Sequence, residues 1–268
     1  ITGAITNNGT HNYNIHTNNT TLTEGANTTL SFSTGENNIN FVEDNASFVL
    51  KNNSSVEKAI TSSSTAKTNI NFNANGELSV GTATSDTATT TITVANAKSG
   101  VVTGSIATTG GATNIVFGSA TRADAAPTPT TLTLKGTSNA ITNITANVDG
   151  AKLVLDTSIN KNETTISGSV SGDNKLTVDF NGAATDSGNS AKLTLNGNAE
   201  LKAITLGANS KNNTLTVASG STSVNDNFSL TTGQEMSFEI RNGAKLAFAN
   251  GLTNTGGTLN IKGTGTSG

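Results

Sequence analysis

Apolar residues in this chain recur as a three-residue unit in which one polar position separates two apolar ones. The units read Leu30-x-Phe32, Phe48-x-Leu50, Ile70-x-Phe72, Ile92-x-Val94, Ile115-x-Phe117, Leu132-x-Leu134, Leu153-x-Leu155, Leu176-x-Val178, Leu193-x-Leu195, Leu215-x-Val217, Met236-x-Phe238 and Leu259-x-Ile261. A period of two buries one face of an extended segment, so each unit predicts a short strand. The steps from each unit to the next are 18, 22, 22, 23, 17, 21, 23, 17, 22, 21 and 23. Their mean of about 21 lies within the roughly 20–50 residue range that marks stacked repeats. No long stretch sustains the i, i+3, i+4, i+7 spacing of a helix, and β-branched Thr, Ile and Val crowd around the units.

Between the strong units lie weaker apolar pairs such as Leu78-x-Val80, Ile204-x-Leu206, Phe228-x-Leu230 and Leu246-x-Phe248. Turn dipeptides separate them, among them Asn75-Gly76, Asp149-Gly150, Asn181-Gly182, Asn196-Gly197 and Asn242-Gly243. Each repeat therefore carries a second short strand and has room for a third. An Asn-Gly step is also the strongest hairpin signal, which keeps an antiparallel sandwich or meander as the competing architecture. Hairpin folds repeat every ~8–12 residues, about half the spacing found here. The expected fold is all-β: a single-stranded right-handed parallel β-helix of about 12 coils of about 21 residues, forming one domain over residues 1–268. Stacking strands about 4.8 Å apart would line the inside with columns of Leu, Ile, Val and Phe, and the outside with hydrogen-bonded ladders of Thr and Asn.

Composition narrows the function classes. Charged residues make up 12% of the chain, against about 25% in typical soluble domains. The net charge of −3 is spread thinly. Without clustered Lys and Arg there is nothing to neutralise phosphates, so no nucleic-acid partner is expected. No basic amphipathic helix and no apolar run near the ~20 residues of a membrane span occurs. The chain has no cysteine, which removes disulfides and thiol chemistry and fits export through an oxidising compartment. It opens on Ile1-Thr2-Gly3-Ala4 rather than Met, which reads as a mature form or an excised piece.

One stretch breaks the rhythm. Residues 118–130 (GSATRADAAPTPT) hold both prolines, Pro127 and Pro129, with Arg122 and Asp124. Proline cannot donate to a strand ladder, so this segment is expected to protrude as a loop, with Arg122 and Asp124 as candidate binding residues. Catalytic signals are weak. Thr185-Asp186-Ser187-Gly188 resembles a serine-protease nucleophile turn, but the only histidines, His11 and His16, lie about 170 residues earlier. Five apart on a strand, those histidines point to opposite faces and lack the acidic or thiol companions of a metal site. Asp156, Asp179 and Glu200 fall near strand ends about one coil apart and read as solvated turn residues. No catalytic residue, metal or cofactor is expected. Glu43-Asp44-Asn45-Ala46-Ser47 stands out among many Asn-x-Ser/Thr sequons, because an acidic residue two before the Asn resembles the extended acceptor of bacterial N-glycosylation. Asn45 is the candidate modification site.

The phrases Asn75-Gly76-Glu77-Leu78-Ser79-Val80, Asp149-Gly150-Ala151-Lys152-Leu153-Val154-Leu155, Asn242-Gly243-Ala244-Lys245-Leu246-Ala247-Phe248 and Gly256-Gly257-Thr258-Leu259-Asn260-Ile261 share one repeat style. They resemble the passenger domains of Gram-negative type V autotransporters, including the adhesin and vacuolating-cytotoxin-like groups. The resemblance runs over most of the chain. It implies a fragment of a β-helical passenger displayed on the bacterial surface or released, touching the membrane only through a C-terminal β-barrel absent from this sequence. The implied role is adhesion, with a host surface, matrix or identical passengers as partners. Two rivals stand beside it: an oligomerising toxin subunit of the vacuolating type, and a polysaccharide-active β-helix enzyme, which would need converging carboxylates.

Overall fold

The computed structural model describes residues 5–8, 11–15, 20–24, 30–52, 59–62, 66–86, 88–107, 110–118, 128–159, 161–182 and 189–265. They form 29 strands and no helix. Every strand pairing is parallel, and each links strands two or three elements apart in sequence, as from Thr89–Val94 to Ala112–Phe117. That is the connectivity of a β-solenoid with three faces, in which each strand pairs with its equivalent in the turns before and after. The first face runs from Ile5–Asn8 to Thr258–Thr264, the second from His11–Ile15 to Lys245–Phe248, and the third from Thr20–Glu24 to Leu252–Asn254. The expected all-β parallel solenoid is the fold.

The inward columns show why these residues stack. On the second face Ile39, Ile70, Ile92, Ile115, Ile144 and Val170 lie in register, all buried. Beside them runs Ile15, Phe41, Phe72, Val94, Phe117 and Ala146, with the rings of Phe41 and Phe72 stacked at 4.7 Å. β-Branched side chains fit a pleated surface in one preferred rotamer, so a column of isoleucines repeats one packing solution from turn to turn. Each buried side chain contributes on the order of 1.5–3 kcal/mol.

The turn length differs from expectation. Twelve apolar units implied twelve coils, yet the pairs Leu30/Phe48 and Ile115/Leu132 each lie on different faces of a single turn. Fewer, longer turns result. Their length also varies, since Leu193 stacks under Leu215 across a short turn and Ile106 under Asn139 across a longer one. The strong apolar unit moves between faces along the chain, from first to third to second and back to third and first. Each short step, from Leu30 to Phe48, from Ile115 to Leu132 and from Leu176 to Leu193, is one of those moves.

The first face explains the migration. Its inward column reads Ile106, Asn139, Thr164, Leu193, Leu215, Phe238 and Ile261. Polar Asn139 and Thr164 are buried, which corrects the expectation of purely apolar inward columns. Their groups are satisfied. Asn139 Oδ1 accepts from the Ile106 N–H at 3.2 Å, its Nδ2 reaches Asn162 Oδ1 at 3.2 Å, and Asn162 Nδ2 donates to the Leu134 carbonyl at 2.7 Å. A second inward polar column, Asn37, Thr68, Thr90 and Thr113, runs inside the second face.

Close packing between faces selects glycine at two strand positions. A Cβ on Gly76 would sit 2.6 Å from the Phe41 ring, and one on Gly100 2.5 Å from the Phe72 ring. In the same third-face column the next turns carry Leu132, Leu153 and Val178. Gly→Ala in an unstrained strand would stabilise by about 0.4–1 kcal/mol through the unfolded chain. The ring contact reverses that sign: Gly100→Ala is expected to destabilise by about 1–3 kcal/mol in urea unfolding. Phe72→Leu in the same chain should recover part of the loss, with a coupling of about 0.5–3 kcal/mol. Strict additivity of the two changes would show that the ring is not what excludes a side chain there.

Candidate functional site

The outer surface of the second face carries the most regular polar array among the described residues. Two outward columns run in register: Asn12, Asn38, Asn69, Thr91, Asn114 and Asn143, and beside them Asn14, Asn40, Asn71, Thr93, Val116 and Thr145. The amides bond along the axis. Asn38 Nδ2 donates to Asn12 Oδ1 and Asn69 Nδ2 to Asn38 Oδ1, both at 2.8 Å. Asn40 Nδ2 donates to Asn14 Oδ1 and Asn71 Nδ2 to Asn40 Oδ1, both at 2.9 Å. Asn143 Nδ2 reaches Asn114 Oδ1 at 3.2 Å. An amide has two N–H donors and an oxygen with two lone pairs. One axial bond in each direction leaves Asn38 and Asn40 a further donor and acceptor site. Asn69, by contrast, also donates to Glu36 Oε1 at 2.8 Å, and Asn143 Oδ1 also accepts from the Ser169 N–H at 3.0 Å. No charge occupies either column, although Glu36 and Lys67 stand in register in the adjoining outward column and the Glu36 carboxylate accepts from Asn69. The outward Asn ladders expected from the sequence are present, and Thr91, Thr93 and Thr145 share their columns.

The corner from the second face to the third carries the other notable features. There the turn Glu43–Asp44–Asn45–Ala46 closes by an Ala46 N–H to Glu43 carbonyl bond of 3.3 Å, with Asn45 left-handed at φ 64°. Two turns on, Ala95–Asn96–Ala97–Lys98 closes the same way at 3.1 Å, with Ala97 at φ 58°. Polar side chains run along the corner. Asp44 Oδ1 accepts from the Asn75 N–H at 2.9 Å and pairs with Lys98 Nζ at 3.2 Å, and Asn75 Oδ1 accepts from the Ser99 N–H at 2.8 Å. Asn45, Ser47, Asn75, Glu77 and Ser99 line a groove of about 300 Å³ beside the turn.

The proline-bearing segment enters at this same corner. Phe117 ends a second-face strand and Thr130 begins a third-face strand. Thr130 Oγ1 accepts from the Ala97 N–H at 2.9 Å, and the Thr131 N–H donates to the Lys98 carbonyl at 2.9 Å. Residues 119–127, with Arg122, Asp124 and Pro127, lie outside the described residues, as do His16 and Thr185-Asp186-Ser187-Gly188. His11 starts the strand His11–Ile15, in register with Asn37.

The three acidic residues near strand ends are not brought together on one face. Asp156 and Asp179 are on the third face, in register with Asn181 and Val154, while Glu200 is on the second, in register with Ser223. Asp179 pairs with Lys152 at 2.7 Å and accepts from Thr205 Oγ1 at 2.8 Å. Asp156 accepts from the Ser158 N–H at 2.7 Å. Among the described residues no group of three or more His, Cys, Asp or Glu is placed to hold a metal ion, and no helix is long and apolar enough to cross a membrane. On the corner from the third face to the first, a groove of about 390 Å³ opens over Gly81 and Gly136, bordered by Lys135, Thr103, Ser105 and the exposed Ile159. Sequence reading did not anticipate it, because residues this far apart in the chain meet only once the turn lengths are known.

Comparison of the chain with protein-family models, with curated proteins and with solved structures finds no match.

The Asn75 N–H, then the Lys98 ammonium, hold the Asp44 carboxyl below its ordinary value. A depressed carboxyl contributes stability that is fully present above the unfolded value of about 3.9 and is lost as pH falls through the folded value. A carbon-detected NMR titration should place the Asp44 midpoint below that of a free aspartate, with the Asn75 amide shift following the same midpoint. Lys98→Ala should move the midpoint up only part of the way, because the backbone donor stays. A midpoint at or above the free value would contradict the corner geometry.

Proposed function

We propose that this chain is part of the passenger of a type V autotransporter, displayed at a Gram-negative cell surface or released from it, and acting as a rod for attachment or self-association. The parallel solenoid and the repeat style quoted above support the family reading. The observation that carries the adhesive role is the pair of outward polar columns on the second face, whose asparagines hydrogen-bond along the axis and whose threonines add further hydroxyls. Each outward amide bond would be weak, about 0.5–1.5 kcal/mol net, so affinity would come from repetition along the rod and from many rods on one cell. Such an array suits a partner with its own periodic polar groups: an identical passenger on a neighbouring cell, or the glycans and proteins of a host surface or matrix. Low charge favours close approach of two like surfaces, since little long-range repulsion must be overcome.

The test is direct. Cells displaying the rod should clump or settle on matrix-coated surfaces, and Thr91→Glu with Thr145→Glu should suppress this by placing charge in the array, while thermal unfolding changes little. Attachment that persists unchanged in the doubly substituted rod would remove the second face from the mechanism. A full-length sequence without a membrane β-barrel following this region would remove the secretion class.

A further inference from the structure

We infer that Asn45 is the acceptor of an N-linked glycan, held by the fold in the one sequon that combines an acidic residue two positions earlier with an exposed, turn-presented amide.

Carbohydrate attached at Asn-x-Ser/Thr requires an accessible asparagine. On that criterion the structure sets two sequons aside, while Asn227 is exposed like Asn45 but has Asn225 in place of the acid. Asn162 is fully buried and spends its amide on the Leu134 carbonyl. Asn143 is locked in the second-face ladder, donating to Asn114 and accepting from the Ser169 N–H at 3.0 Å. Asn45 is exposed. Its left-handed φ of 64° at the third position of a closed turn turns the chain at the edge of the rod, between a second-face and a third-face strand. Glu43 is exposed on the same turn, and Ser47 is the first outward residue of the strand that follows. No other Asn-x-Ser/Thr in the chain has Asp or Glu two residues before its Asn.

A turn alone explains part of this pattern. Asn is among the few side chains that tolerate the left-handed region, so position 45 would favour Asn or Gly even without modification. The turn makes no demand for an acid at 43. The equivalent turn at Ala95–Lys98 forms with Ala97 in the same conformation and with Ala95 where the acid would stand, while Ser99 keeps the hydroxyl two residues on. The groove lined by Ser47, Asn75, Glu77 and Ser99 then offers hydroxyl, amide and carboxylate groups to the first sugar.

The donor is of the polyprenyl-diphosphate-linked oligosaccharide class. The Asn45 amide nitrogen forms a bond to the anomeric carbon, the bond from that carbon to the diphosphate oxygen breaks, polyprenyl diphosphate leaves, and the amide loses one proton. No redox partner is needed. In the cell the reaction rests on the export reading above, because donor and enzyme face the compartment through which the chain would pass. A reaction with purified components separates the two questions.

The folded full chain would be incubated with a purified bacterial oligosaccharyltransferase and its lipid-linked donor, and glycopeptides mapped by mass spectrometry. The expected result is one glycan per chain on the peptide containing Asn45. It should be lost in Asn45→Gln and in Ser47→Ala, kept in Ser47→Thr, and reduced to background in Glu43→Gln. Circular dichroism of each variant, with unchanged unfolding midpoints for the Ser47 and Glu43 variants, would separate loss of the acceptor from loss of the fold. A glycan on Asn143, Asn162 or Asn227 with Asn45 bare would overturn the inference. So would modification that survives Glu43→Gln, or modification of the heat-unfolded chain but not of the folded one.

Discussion

The parallel backbone ladder between successive turns is the constraint on which everything else in this protein depends. It holds equivalent strands about 4.8 Å apart and forces each side chain to sit above and below its counterparts in the neighbouring turns. Any residue type placed on one turn therefore meets the same column again. Isoleucine on isoleucine works inside the second face because one rotamer packs repeatedly, as from Ile39 to Ile144. Asparagine on asparagine works outside because an amide is both donor and acceptor and bonds to a copy of itself. Where a column departs from likeness, a neighbour compensates: Gly76 and Gly100 make room for the Phe41 and Phe72 rings projecting from the adjoining face.

That constraint also shows what of the fold was legible before the structure. Period-two units, turn dipeptides and the lack of helical spacing together identified a parallel solenoid, because these features reflect local backbone geometry. The length of the turn was misread for a physical reason. The solenoid needs only enough apolar surface per turn, not the same face each time, so the strong unit passes from Leu30 on the first face to Phe48 on the third and Ile70 on the second. In the middle turns the first face takes Asn139 and Thr164 inside, because a closed hydrogen-bond network with Asn162 offsets the loss of water. A one-dimensional search for apolar pairs passes over a strand whose buried residues are polar. The clue was the uneven spacing, since each of the shortest steps between units is a change of face.

The candidate site was less legible. Glu43-Asp44-Asn45-Ala46-Ser47 could be read directly, because a sequon is a contiguous pattern. The pairing of Asp44 with Lys98, two turns away, and the groove shared by Asn45 and Ser99 could not. Both depend on which turns lie above one another. The ladders fall between these cases. The abundance of Asn and Thr predicted that ladders exist, but only the register shows that they concentrate on the second face and that Thr91 interrupts one run of asparagines.

The same stacking accounts for the low charge content. Two like charges one turn apart repel by about 1 kcal/mol even in water, and by more where the protein lowers the local dielectric. A column of lysines or of glutamates would add that cost at every turn. Several of the charges that do occur on these faces meet opposite charges in a neighbouring turn. Lys152 meets Asp179 one turn on, Lys202 meets Asp226, and Glu163 lies between Lys161 in its own turn and Lys192 in the next, at 3.2 and 3.8 Å. Exposed pairs of this kind contribute little singly, yet their arrangement avoids the like-charge stack. Neutral Asn and Thr escape the rule because they carry no charge to repel, and the Asn amide also bonds to copies of itself. A solenoid that must present a long outward surface is therefore driven toward amides and hydroxyls, and the surface chemistry on offer for adhesion follows from the ladder that holds the fold together.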